Sequence, residues 1–355
     1  NKTGEVFGNA FLNFKISKYL QFTTQFGLDN QNIRTEYYSP SDLLNISANQ
    51  KGVASIGSAV QTYWQQENYL TYDRNFGLHH LNVVLGASWQ QQTYESLGGS
   101  SQYFPDDYSQ QYNLGSGSQP SPPSSGYSKW SINSYFARAQ YDFSGKYLMT
   151  LTERIDGSSR FGSANKYASF PSIGVGYVIS QEPFMKNIKA INFLKIRASY
   201  GATGNTEISP YQSLATIGNG TTLLNGGYVS TAWVNNIANP NLKWEESKET
   251  DIGLEARLFN DRISFEGDYY YKLTNNLLLN NPIPATTGFG SVLTNIGSMS
   301  NKGVDLTLTT TNIRTKNFTW VTNFVANYNK NTVLHLGTSN SDIFPGPGWG
   351  PVSQG

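Results

Sequence analysis

The sequence predicts an all-β chain, a transmembrane antiparallel β-barrel section of roughly twelve strands. Three observations predict it. Apolar and polar residues alternate with period two along many segments, which lines one face of a strand and scatters around a helix. Charged residues make up only 14% of the 355 residues, against about 25% in average soluble domains; 23 Tyr, 19 Phe and 34 Gly accompany that deficit. Short turns alternate with long links rich in Gly, Ser, Asn and Pro, the arrangement of an outer-membrane barrel with turns at one end and loops at the other.

In chain order, Ala10, Leu12, Phe14 and Ile16 lead through Ser17-Lys18 into Leu20, Phe22, Phe26 and Leu28. Asn68, Leu70 and Tyr72 turn at Asn75-Phe76-Gly77 into Leu81, Val83, Leu85, Ala87 and Trp89. Tyr135 to Phe143 turn at Ser144-Gly145 into Tyr147, Met149 and Leu151, and Ile173 to Ile179 pass a longer link to Leu194, Ile196, Ala198 and Tyr200. Thr250, Ile252, Leu254, Ala256 and Leu258 form one face opposite Asp251, Gly253, Glu255 and Arg257. Asn260-Asp261 turns that strand into Ile263, Phe265, Gly267, Tyr269 and Tyr271, with Ser264, Glu266, Asp268 and Tyr270 on the other side. Val304, Leu306 and Leu308 return as Phe318, Trp320, Phe324, Ala326 and Tyr328. Within five of these six pairs the link is short; between pairs it is long, over residues 30–58, 95–128, 156–167, 201–241 and 275–300. Residues 181–193 are expected to hold a short helix started by Pro183, with Phe184, Met185, Ile188 and Ile191 as its apolar stripe.

Composition excludes several functions. A net charge of +1 without a Lys/Arg-rich run gives no footprint for nucleic acid. The absence of cysteine excludes a disulfide framework and thiolate metal sites. His79 and His80 are adjacent on a strand and point to opposite faces, a poor metal pair. No nucleophile elbow, zinc-protease motif or phosphate loop is present, and Ser158-Ser159-Arg160 after Asp156 has no His in its segment to activate a serine. Gly174-Val175-Gly176 reads as close packing or strand curvature. No catalytic residue, metal or cofactor is expected. The long loops present Tyr103, Tyr108, Tyr112, Tyr228, Trp233 and Trp349 among Asn, Ser and Gly, with Asp106-Asp107 beside Tyr103. Rings and carboxylates in such loops suit stacking on sugars or holding peptide side chains. Tyr103, Asp106, Asp107, Tyr228, Trp233 and Trp349 are therefore the candidate ligand or lid contacts.

Several ordered motifs resemble the barrel of the SusC/RagA family of TonB-dependent outer-membrane transporters. They are Asn133-Ser134-Tyr135-Phe136, Asp156-Gly157-Ser158-Ser159-Arg160-Phe161-Gly162, Phe170-Pro171-Ser172 and Phe184-Met185-Lys186-Asn187. Leu194-Lys195-Ile196-Arg197-Ala198-Ser199-Tyr200-Gly201, Thr203-Gly204-Asn205, Asn239-Pro240-Asn241-Leu242-Lys243-Trp244-Glu245, Asn295-Ile296-Gly297 and Asn301-Lys302-Gly303-Val304-Asp305 continue the series. The resemblance implies a bacterial outer-membrane location and a 22-stranded barrel closed by a plug. It implies a TonB complex as energy source, a SusD-like surface lipoprotein as lid, and an oligosaccharide or peptide as cargo. Residues 1–355 are then expected to be an internal section of that barrel, with plug domain, TonB box and final strands absent. Asp251, Glu255 and Arg257 are expected in a lumen network meeting the plug, and Arg160 in an ion pair near the rim. Two other functions stay open: an outer-membrane barrel enzyme, such as a protease or lipase, and a non-transporting adhesin or structural subunit.

Overall fold

The structure is a computed structural model that describes residues 1–40 and 52–337. Its strands are β1 (Lys2–Lys15), β2 (Leu20–Ser39), β3 (Val53–Phe76), β4 (His79–Gln102), β5 (Gln119–Pro120), β6 (Ser124–Phe143), β7 (Tyr147–Ser158), β8 (Tyr167–Ser169) and β9 (Ser172–Val178). They continue as β10 (Ile191–Asn205), β11 (Ile217–Leu224), β12 (Gly227–Val234), β13 (Glu245–Leu258), β14 (Ile263–Asn275), β15 (Leu278–Pro282), β16 (Ser291–Asn295), β17 (Ser298–Arg314) and β18 (Thr319–His335). Helical structure among the described residues is confined to single 3-10 turns.

The main sheet runs β1-β2-β3-β4-β6-β7-β9-β10-β13-β14-β17-β18, with β5 beside β4 and β8 beside β7. These twelve path strands include all six expected hairpins. Their short turns take positive φ at Gly77, Ser144 and Gly145, and over the run Phe259, Asn260 and Asp261. In the last case Asn192 Oδ1 accepts the N–H groups of Asn260 (2.7 Å) and Asp261 (3.4 Å), which satisfies the tight turn.

Three expectations change. Strands β3 and β4 have 24 residues each and β6 has 20, so much of 30–58 and 95–128 is strand: polar extensions beyond the apolar band still pair through backbone. Residues 201–241 and 275–300 carry the separate hairpins β11–β12 and β15–β16. The link at 181–193 forms only a turn at Pro183–Met185, which buries Met185 while Phe184 and Ile188 stay exposed, so no apolar stripe exists.

The residues group into two compact units. The first comprises Asn1–Phe14, Thr23–Asn68 and Ser88–Asn133. It is bound by cross-strand polar pairs such as Asn30–Thr62 (2.8 Å) and Gln66–Thr24 (2.9 Å), and by ring contacts Phe26–Trp64 and Tyr63–Trp130. The second comprises Lys15–Phe22, Tyr69–Ala87 and Ser134–Gly355. Its sheet has one face of exposed apolar side chains, among them Leu85 (52% exposed), Ile252 (53%), Leu254 and Leu306. Its buried apolar cluster is small: Phe161, Phe170, Ala202, Ile208, Leu242 and Trp244, at the long-loop end of the strands. An apolar sheet face left outside any core requires an apolar surrounding.

Candidate functional site

The opposite face of the second unit's sheet is charged. Register places Arg197 of β10 level with Gly253 of β13, Asp268 of β14 and Asp305 of β17. Arg197 Nη2 donates to Asp268 (2.7 Å) and Glu266 (2.9 Å), its Nε lies 3.3 Å from Glu255, and its Nη1 lies 3.6 Å from Asp251. Lys195 Nζ also reaches Glu255, at 3.0 Å. One guanidinium thus gathers four carboxylates from two neighbouring strands. Its planar fork of donors suits that role better than an ammonium. Gly253 makes the arrangement possible: a Cβ there would sit 2.2 Å from Asp268 Oδ1 and 2.6 Å from Arg197 Nε.

Of the three residues expected in this network, Asp251 and Glu255 are in it. Arg257 is not; its guanidinium lies 4.6 Å over the ring of Phe193, near a register shift at the start of β10. Sequence reading missed the hub, Arg197, its partners Glu266 and Asp268, and Lys195, the second cation on Glu255. The alternation of Lys195-Ile196-Arg197 marks both cations as polar-facing, but only strand register brings the acids to them.

A second constellation lies at the long-loop end, where the family-like motifs converge. Phe161 and Phe170 pack on Trp244 at ring distances of 5.3 and 5.2 Å, and Trp244 Nε1 donates to Lys166 O at 2.9 Å. Gly162 is pressed against Pro240, whose carbonyl oxygen would lie 1.9 Å from an added Cβ. Arg160 donates to Thr206 O (2.8 Å) and lies 3.7 Å from Glu207. Burial draws its guanidinium below the ordinary value. Arg154 pairs with Asp156 at 2.8 Å and donates to Ser134 Oγ at 2.8 Å. Ser158 Oγ accepts the Arg160 N–H at 3.3 Å. These groups hold a loop, which accounts for Asp156, Ser158 and Arg160 without chemistry.

The expected loop contacts separate. Tyr228 stands at the β11–β12 turn, 85% exposed. Trp233 lies across Gly218 and Gly220 of β11, with half its surface exposed. Within the first unit, Tyr103 is half-buried at φ +59, its N–H bonded to Gly52 O at 3.1 Å. Asp106 caps the N–H of Tyr108 at 3.0 Å, and Asp107 accepts the Tyr38 hydroxyl. Tyr108 and Tyr112 are exposed, and Trp349 lies outside the described residues. His80 contacts Asp73 at 3.2 Å and His79 contacts the Tyr141 hydroxyl at 2.6 Å, on opposite faces. Gly174 and Gly176 are not crowded; an added Cβ at either would meet only ordinary contacts.

Residues 3–349 match the family described as TonB dependent receptor-like, beta-barrel. The chain belongs to this family. TonB-dependent receptor P26 of Formosa agariphila is 39% identical over 347 residues, covering 94% of the chain and 35% of the relative. TonB-dependent receptor SusC of Bacteroides thetaiotaomicron is 36% identical over 218 residues, covering 59% of the chain and 22% of SusC. The structure of the RagAB peptide importer in the closed-closed state superposes with a TM-score of 0.90 at 27% identity, covering 99% of the chain and 39% of the matched one. The chain spans about a third of the length of the curated relatives it matches. The receptor section is therefore part of an outer-membrane barrel, and the exposed apolar face of its sheet is the lipid face.

Proposed function

We propose that this section forms part of the wall of a TonB-dependent importer that takes up an oligosaccharide or peptide with a SusD-like surface lipoprotein as lid. The observation that carries the proposal is the two-faced sheet. Ile252, Leu254 and Leu306 are exposed on one side, and Arg197 gathers Asp251, Glu255, Glu266 and Asp268 on the other. Such a wall separates lipid from a polar lumen, and a charged lumen face offers ion-pair partners to a plug. We place the plug and the TonB box in the part of the receptor outside this chain. The name of the RagAB peptide importer supports peptide cargo; the oligosaccharide alternative and the lid rest on the SusC/RagA resemblance.

The β11–β12 hairpin, with Tyr228 and Trp233, is the proposed side for ligand and lid, and Tyr103, Asp106, Asp107 and Trp349 stay proposed as further contacts. The charged residues of this section act as structure rather than as acids or bases. Their carboxylates face cations across strands, and Ser158 is engaged with backbone.

The test is uptake. Cells lacking the receptor should lose accumulation of one labelled substrate class, oligosaccharide or peptide. The full-length gene should restore it only with TonB intact, and the receptor should co-purify with a surface lipoprotein. Substrate hydrolysis by the purified receptor, with no TonB-dependent uptake, contradicts the proposal.

A further inference from the structure

The lipid face carries an unexpected pair of charges. Reading outward-facing residues across β13, β14, β17 and β18, one rung is Leu254, Gly267, Leu306 and Ala326, and the next is Ile252, Tyr269, Val304 and Tyr328. The rung above is Thr250, Tyr271, Lys302 and Lys330. Lys302 and Lys330 are both exposed, and among the described residues neither makes an ion pair. They are direct register partners, so their Cβ atoms lie about 4.5–5.5 Å apart, a spacing at which like charges repel. Lys248, one rung further toward the loops on β13, is matched by Glu246 at 3.1 Å. Among the described residues, the positive charge of Lys302 and Lys330 has no such match.

Position along the strand identifies what supplies it. From Lys302 to Thr310, the outward residue of the last rung before the short-turn end, the chain advances about 27 Å at ~3.4 Å per residue. With a barrel tilt of about 40°, that is roughly 20 Å of depth, close to the ~25 Å apolar band. Tyr269, Tyr271 and Tyr328 flank the pair on the lipid face, where aromatic residues mark the membrane interface. Both ammonium groups therefore reach headgroup level at the long-loop side of the bilayer, with their stems along the apolar surface.

We propose that Lys302 and Lys330 together bind a phosphate group on an anionic lipid headgroup of the outer leaflet. A phosphate oxygen between the two ammonium groups converts their repulsion into two charge-assisted hydrogen bonds. Tyr271, the register partner of Lys302, supplies a hydroxyl at the same level. The proposal rests on the outer-membrane reading with long loops outside, and it adds a lipid site that import itself does not require.

The test uses the full-length receptor extracted from outer membranes and purified in detergent. The probes are diphosphoryl lipid A, dephosphorylated lipid A and inorganic phosphate. Wild-type receptor should bind diphosphoryl lipid A, and Lys302→Gln with Lys330→Gln should weaken that binding about 30-fold. Lys302→Arg with Lys330→Arg should retain it, and dephosphorylated lipid A should bind the wild type as weakly as the phosphorylated form binds the glutamine variant. Equimolar inorganic phosphate should not displace the lipid. Equal affinity of wild type and glutamine variant, equal affinity of wild type for the two lipid A forms, or displacement by phosphate overturns the proposal. A glutamine variant that fails to fold leaves the wild-type comparison of the two lipids to decide. Uptake is absent from the readout, so failure here leaves the import reading standing.

Discussion

Arg197 and Asp268 lie two strands apart and meet at 2.7 Å through the gap that Gly253 leaves between them. A cross-strand pair ordinarily joins neighbours in register; here a glycine on β13 lets β10 reach β14 directly. Replacing Gly253 by Val should therefore break a bridge in which it makes no bond itself. The expected loss is about 1–3 kcal/mol, the range for stranding a partly buried polar group, and the partial exposure of Arg197 favours the lower end. Urea unfolding of the full-length receptor in detergent micelles measures it. An unchanged midpoint for Gly253→Val would show that the bridge adds no stability.

The rim knot should be less forgiving. Trp244 is buried against Phe161 and Phe170, so Trp244→Ala should cost about 3–5 kcal/mol. Gly162→Ala, whose methyl would overlap Pro240 O, should loosen the segment 156–167. Limited proteolysis of the folded receptor should then cut that segment in the variant and spare it in the wild type.

The two faces of one sheet give a paired contrast. Leu254 is on the lipid face, and Thr307 is on the charged face as the register partner of Glu266. Leu254→Arg should destabilise the receptor by about 2–4 kcal/mol in a bilayer. Thr307→Arg should cost less than about 1 kcal/mol, because a carboxylate faces it. Equal costs would refute the assignment of faces.

Between β9 and β10, Glu182 accepts hydrogen bonds from Lys146 (3.1 Å) and the Tyr147 hydroxyl (3.0 Å). These hold its carboxyl below the usual carboxylate range. A depressed folded pKa contributes stability that is present above the unfolded value and lost as pH falls through the folded one. Hydrogen exchange in residues 179–190 should accordingly lose protection on acidification in the wild type. In Glu182→Gln the protection should be lower at neutral pH and should lack that acid-range decline.

Much of this architecture is legible in the sequence because lipid on one side and water on the other impose period two on every wall strand. The alternation from Thr250 to Tyr271 locates the turn and the turn-side ends of β13 and β14, while β13 starts earlier, at Glu245, and β14 runs on to Asn275. Legibility fails where that contrast ends. The outer parts of β4 and β6 are mainly polar on both faces, and that of β3 mixes Val, Ala and Ile with Ser and Gly on both, so all three look like loop although backbone pairing continues. The β11–β12 hairpin carries a readable signal, Asn225-Gly226 with both residues at positive φ, between two strand-forming runs. The surrounding Gly and Asn residues obscure it. Asp251 and Glu255 are legible as one polar face, but their meeting with Arg197, and the departure of Arg257 to Phe193, depend on register between strands far apart in sequence.

The proposed orientation puts the loop hairpins outside the cell and the short turns in the periplasm. The chain has no cysteine, so single cysteines introduced at Tyr228 and at Ser144 report position cleanly, provided any cysteine elsewhere in the receptor is first removed. With a membrane-impermeant maleimide on intact cells, Tyr228→Cys should be labelled and Ser144→Cys should be silent until the outer membrane is permeabilised. Labelling of Ser144→Cys on intact cells, with Tyr228→Cys protected, would contradict the account.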